Sequence, residues 1–272
     1  MSHGARLAAH SAVSTSLALY SDRALRELVD TAVPIGSGIG GTSALLEIAG
    51  TPVFVKRVPL TDLERQPGHV RSTANLFELP AFCQYGTGAI GSPGFGAWRE
   101  LAVHTMTTNW VLAAEHEGFP LMYHWRVLPD STPLPAELAD VERAVAYWGG
   151  GTQVRRRIEA LRQSSASVAL FLEYIPQNLH QWLGTQVEAG DEAVDRACAM
   201  VERELEATTS FMNARGSCTS TRTSRTSSPT AGASTSRTTA SRPPPGSSCR
   251  GRRPTPSTGI SPTTAVTPPR IW

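Results

Sequence analysis

Apolar residues recur at near-helical spacing from Leu17 to Val33, through Leu19, Leu25, Leu28 and Val29, with Ser21 and Asp22 as caps and Pro34 as a terminator. The pattern predicts a leading helix behind a flexible N-terminus over residues 1–32. Two short apolar runs, Ser43 to Ile48 and Val53 to Lys56, flank Ala49-Gly50-Thr51-Pro52 and read as a β-hairpin with a four-residue turn. From Trp98 to Leu112 the residues Leu101, Met106 and Val111 can cover one helical face, and Phe119 to Val127 reads as a strand. Residues 135–163 carry a polar helical pattern broken at Gly149-Gly150-Gly151. Val168 to Ile175 is a continuous apolar run interrupted only by Glu173, and after Pro176 a short helix is predicted through Leu179, Trp182 and Leu183. A last helix is predicted from Asp191 to Arg215, with Ala197, Val201, Leu205 and Phe211 along one side.

After Gly216 the periodicity stops. Residues 217–272 contain 12 Ser, 13 Thr, 9 Pro and 8 Arg and no Asp, Glu, Lys or His, a composition that cannot bury a core and predicts disorder. The first 216 residues carry 17 basic and 23 acidic groups, so an acidic body precedes a basic tail. A hydrophobic content of 40% suffices for a real core. There is no apolar run long enough for a membrane span or signal peptide, so a cytoplasmic protein with no membrane partner is expected. The cysteines at 83, 198, 218 and 249 have no metal-site spacing and read as reduced thiols. The triplet Arg155-Arg156-Arg157 reads as a solvated helix face, and nucleic acid is not an expected partner.

Lys56 is the only lysine among 272 residues. In a chain that otherwise uses arginine, the survivor is expected to do what a guanidinium fork does not. Upstream, Gly36, Gly38 and Gly41 within Gly36-Ser37-Gly38-Ile39-Gly40-Gly41 match G-x-G-x-x-G. A dinucleotide fold would need a long helix directly after these glycines, and the Gly50-Thr51-Pro52 turn arrives too early for one. The other architecture using the motif is a glycine-rich hairpin over nucleotide phosphates, with a lysine on the next strand.

These residues, with Val53-Phe54-Val55-Lys56 in place of V-A-I-K, resemble the protein kinase superfamily over roughly residues 33–216. The resemblance implies an α+β, protein kinase-like fold: a nucleotide-binding β-sheet lobe with insertions and a hinge (33–175), the first helices of an incomplete helical C-terminal lobe (176–216), and a disordered tail (217–272). It implies ATP as ligand, with Mg²⁺ in intact relatives, and a protein or small-molecule hydroxyl as acceptor. Lys56 would be oriented by a glutamate on the following helix. Glu64, Glu78 and Glu100 are candidates, of which Glu100 has the best helical context, and the long separation implies an insertion across residues 60–96. At the hinge, the backbone of Glu173 and Ile175 would contact adenine with Leu172 behind it.

In such chains the helix ending at Gly216 runs into a catalytic loop, H-x-D-x-x-x-x-N. Here Thr221, Thr226 and Thr238 stand where the catalytic Asp, the Asn and the metal-binding Asp belong. One GC-rich synonymous spelling of Gly216 to Thr230, begun one base earlier, reads Leu-Leu-His-Phe-Asp-Ala-His-Phe-Gln-Asn, and the same shift over Ala233 to Arg242 yields Asp-Tyr-Gly. A shifted reading frame after Gly216 is therefore expected, against a genuine Ser/Thr/Arg/Pro tail. Threonine hydroxyls cannot replace carboxylates on magnesium, so catalysis is not expected from the chain as written, and the 191–215 helix should lose the elements it would pack against. The alternatives are a non-catalytic nucleotide-binding or interaction module, or the remnant of an aminoglycoside-type small-molecule phosphotransferase.

Overall fold

The computed structural model describes residues 2–38, 40–84, 90–94, 96–130 and 134–216. The expectations for the tail, including Thr221, Thr226 and Thr238, lie outside the described residues. The chain is α+β. Strands β1 (Val33–Gly38), β2 (Gly41–Ile48), β3 (Thr51–Leu60), β4 (Met122–Pro129) and β5 (Ala166–Glu173) form an antiparallel sheet in the order β1-β2-β3-β5-β4. The β2–β3 connection is tighter than the expected four residues: Ala49 and Gly50 alone make the turn, at φ 51° and 71°, and Thr51 and Pro52 belong to β3. Two successive left-handed residues match the twist of the flanking strands.

Strand β5 lies between β3 and β4 and is buried along its whole length, which is why its sequence reads as an unbroken apolar run. Its side chains alternate between two cores. Val168, Leu170 and Leu172 pack with Val58 and Leu60 of β3 against helix α4 (Ala97–Leu112), through Ala97, Trp98 and Leu101. Ala169 and Phe171 face the opposite side, packing with Val53 and Val55 against two N-terminal helices.

Those helices correct the expected leading helix and flexible terminus. The segment folds as α1 (His3–Ala18) and α2 (Asp22–Asp30), and Val33 and Pro34 enter β1. Ser21 starts α2 by accepting from Ala24 N at 3.2 Å, which breaks what the periodicity reads as one helix. The stretch before Leu17 is ordered by the Ser2 cap on Ala5 N (3.3 Å) and by burial of Val13 and Leu17 against the sheet.

Phe77, Leu79, Cys83 and Ile90 from the β3–α4 connection make a third core with helices of the β4–β5 connection. Helices α5 (Ala136–Ala139), α6 (Val141–Tyr147) and α7 (Thr152–Arg162) pack Leu138, Trp148, Val154 and Ile158 against Phe77 and Leu79. Helix α3 (Asp62–Arg65) joins this body to β3. The arginine triplet is not a uniformly solvated face. Arg155 pairs with Glu142 on the surface, but Arg157 is buried.

Beyond β5, α8 (Leu179–Glu188) begins with a reciprocal cap between Asn178 and Gln181, and α9 (Asp191–Ala214) follows. Helix α9 buries only Ala197 completely and packs on the rest of the chain mainly at its C-terminal end. Phe211 lies edge-on to Trp110 at 5.1 Å and packs on His116 at 4.7 Å. Leu205, predicted on the inner side, is 43% exposed. Among the described residues no helix is long and apolar enough to cross a membrane.

Candidate functional site

Lys56 shares parity with Phe54 and Val58, so it leaves β3 on the face covered by α4. In register it lies between Ser43 of β2 and Leu170 of β5. Its ammonium meets Glu100 Oε1 at 2.5 Å. Glu100 sits in the first turn of α4, where a carboxylate is also favoured by the exposed N–H groups of the helix start. Trp98 and Leu101 fix that turn against the sheet, and Trp98 stands edge-on to Trp125 of β4 at 6.3 Å.

Of the three glutamates considered, Glu100 alone is the one brought to Lys56. Glu78 is exposed in a left-handed backbone conformation at φ 54°, and Glu64 is buried in a separate ion pair with Arg157. His104, one turn along α4, brings Nε2 within 3.8 Å of Glu100 Oε1 and was not anticipated; its i,i+4 spacing from Glu100 is the signal that could have found it. Burial pushes the Glu100 carboxyl up, but His104 and the Lys56 charge outweigh it and hold it below the usual carboxylate value.

The glycines occupy the β1–β2 hairpin. Gly38 and Gly41 are its last paired residues, and Gly36 pairs with Ser43. They are not equivalent. Gly41 has φ +109°, and a Cβ there would lie 1.8 Å from Arg57 O, so glycine is required twice over. A Cβ at Gly36 would meet only Ser43 Oγ at 3.7 Å, an ordinary contact. Gly40, outside the G-x-G-x-x-G count, approaches the lysine most closely: a Cβ there would stand 2.8 Å from Lys56 Nζ. The hairpin thus folds down onto the ammonium.

Leu172 pairs with Phe54 in register and lies on the same face as Lys56, so the lysine and the end of β5 open onto one side of the sheet. Glu173 has the opposite parity. Its side chain is buried against Arg6 of α1, and its N–H donates to Leu121 O at 2.7 Å, so that donor is committed within the protein. Ile175 lies in the irregular segment between β5 and α8, where among the described residues its N–H has no backbone acceptor. Pro176 and Gln177 open a shallow cleft there with Gln181 and Thr185 of α8.

Chemically, the site offers one ammonium beneath a hairpin with no room for a side chain at positions 40 and 41, a geometry suited to anionic oxygens. Among the described residues no cluster of three or more His, Cys, Asp or Glu is placed to hold a metal ion. No protein-family model and no curated protein sequence matches the chain.

Proposed function

We propose that the chain is an ATP-binding module of protein kinase-like design, with a β-sheet lobe (33–175) and the first helices of a second lobe (176–216), and that it binds nucleotide without transferring phosphate. The observation that carries this reading is the Lys56–Glu100 pair, which joins the third strand of a five-stranded antiparallel sheet to helix α4, packed on that face of the sheet. In kinases a lysine on the third strand pairs with a helix glutamate and grips the phosphates under a glycine-rich loop. The descent of Gly40 onto Lys56 and the requirement for glycine at position 41 agree with such a loop. The backbone of Glu173, through its carbonyl, and of Ile175 then faces adenine at the hinge, with Leu172 behind it.

Transfer needs an Asp to accept the hydroxyl proton and an Asn and a second Asp to hold Mg²⁺. Residues 217–272 contain no Asp, Glu or Asn. Relatives with an intact catalytic loop would phosphorylate a protein or small-molecule hydroxyl; this chain retains the grip alone.

Thermal shift with ATP, with and without Mg²⁺, paired with a phosphate-release assay, tests the reading. Stabilisation by ATP that survives chelation of Mg²⁺ and is lost in Lys56→Met, with no phosphate release, is expected. Turnover would overturn the loss of catalysis, and indifference to ATP would overturn the nucleotide site.

A further inference from the structure

Helix α4 begins at Gly96, an N-cap with no side chain to satisfy the first N–H groups. The missing cap comes from another element. Glu64 Oε1 accepts from Ala97 N at 3.2 Å, and a Cβ at position 96 would lie 2.7 Å from that oxygen, so glycine makes room for the carboxylate. Glu64 Oε2 accepts from Thr61 Oγ1 (2.7 Å), Thr61 N (3.0 Å) and Arg157 (3.1 Å). Trp98 Nε1 donates to Glu64 O at 2.8 Å, tying the second residue of α4 to the same glutamate.

Arg157 reaches this point from α7, on the far side of the inserted body. It donates to Pro93 O at 3.2 Å and stacks over Phe77 at 4.9 Å. Glu64 and Arg157 are each about 97% buried, so neither charge has water as an alternative partner. A third tie runs from Arg99 of α4 to Thr73 O at 3.1 Å. The first turn of α4, which carries Glu100, is therefore held from the sheet side by Trp98 and Leu101 and from its N-terminus by the insertion.

We infer that Glu64, backed by Arg157 and Thr61, is a positioning residue that sets the first turn of α4 so that Glu100 meets Lys56, and that the inserted body is a built-in clamp on that helix. Glu64 does not touch Lys56; it acts through Glu100. A carboxylate at a helix start is stabilising in any case, but here the capped turn and the paired glutamate are one turn of one helix, and displacement of the cap by about an ångström would separate a 2.5 Å pair. For its consequence in ATP binding the inference rests on the nucleotide reading above; its test does not.

Lys56 is the only lysine, so acylation of side-chain amines followed by peptide mass mapping reads this one position. Contact with Glu100 at 2.5 Å shields the Lys56 amine from the acylating reagent, and Glu100→Gln defines the rate of the unpaired lysine. In the full-length protein, Glu64→Gln and the milder Thr61→Val are expected to raise Lys56 labelling, Glu64→Gln by about five-fold, the size of change that loss of one ion pair gives. Glu64→Gln combined with Glu100→Gln should label no faster than Glu100→Gln alone, and Glu64→Asp should restore part of the protection.

Labelling at the wild-type rate in Glu64→Gln, even with a lowered Tm, would show a structural role only and overturn the inference. So would additive labelling in the double variant. Should Glu64→Gln fail to fold, Thr61→Val decides: faster labelling supports positioning, an unchanged rate removes it. Because labelling needs no nucleotide, loss of the coupling and absence of ATP binding are distinguishable results.

Discussion

Arg6 and Glu173, 167 residues apart in sequence, form a bidentate pair at 3.1 and 2.8 Å that is almost fully buried. Two further N–H groups of Arg6 donate to Glu117 O and Phe119 O, and Glu173 Oε2 also accepts from Leu121 N. The N-terminal helix is thereby fastened to the last residue of β5, on the face of the sheet opposite Lys56. A buried pair of this kind is weak evidence of net stabilisation, but removing one partner leaves the other charged and dry.

Arg6→Met is accordingly expected to destabilise the chain by about 3–5 kcal/mol. Arg6→Met combined with Glu173→Met should recover more than half of the loss, since neither residue is then an unpaired ion. Urea unfolding followed by tryptophan fluorescence measures both. A single variant within roughly 0.5 kcal/mol of wild type would show that water reaches Glu173 and that the pair is not isolated.

Much of the sheet was legible because its period is local. The β2–β3 hairpin, the α4 helix and the buried β5 strand each follow from alternation, a turn or an unbroken apolar run. What stayed hidden depends on contacts distant in sequence. Arg6 sits in an alanine-rich segment with no periodic signal of its own, and its partner lies 167 residues further along the chain. Arg157 reads as one of three surface arginines until Glu64 is brought to it from 93 residues away. Glycine spacing pointed at Gly36, Gly38 and Gly41, whereas close approach to the lysine is made by Gly40, because a motif count records positions and not the path of the loop.

The glycines should separate on substitution. Gly41→Ala places a Cβ against Arg57 O in a left-handed conformation and is expected to cost about 2–4 kcal/mol. Gly36→Ala should fall within about 0.5 kcal/mol of wild type, since its Cβ meets only an ordinary contact. Chemical denaturation of the two proteins side by side checks this; equal losses would mean that hairpin flexibility, and not the approach to β3, explains the glycines.

His116 should make the α9 docking sensitive to mild acid. Gly118 N donates to its Nδ1 at 3.1 Å, which places the proton of the neutral ring on Nε2, facing Thr208 Oγ1 at 3.2 Å. Burial lowers its pKa most, Arg215 adds to the lowering, and Glu204 opposes it. The folded protein therefore binds a proton less readily than the unfolded chain, so stability falls as pH drops below the ordinary histidine value near 6.5. His10 and His124 shift in the same direction, chiefly through burial, and add to the effect. Melting curves between pH 7.5 and 5.5 should show Tm falling by about 3 °C or more, with a shallower fall in His116→Gln. Parallel profiles would remove His116 from this role.

The Lys56–Glu100 pair has the opposite kind of titrating partner and a different window. Glu100 is held below the ordinary carboxylate range, so the folded state binds its proton less readily than the unfolded chain does. Its contribution is complete above the unfolded value near 4.5 and is lost as pH falls through the folded value beneath it. A double-mutant cycle with Lys56→Met and Glu100→Gln, measured by denaturant unfolding, is expected to give a coupling of about 1–2 kcal/mol at pH 7. The coupling should hold down to about pH 5 and then shrink toward zero as the carboxyl is neutralised, independently of the histidine-linked loss at higher pH. A coupling that disappears between pH 7 and 6 would show that the Glu100 carboxylate does not control it. One that persists unchanged to pH 3 would show that the lysine is held by packing and not by charge.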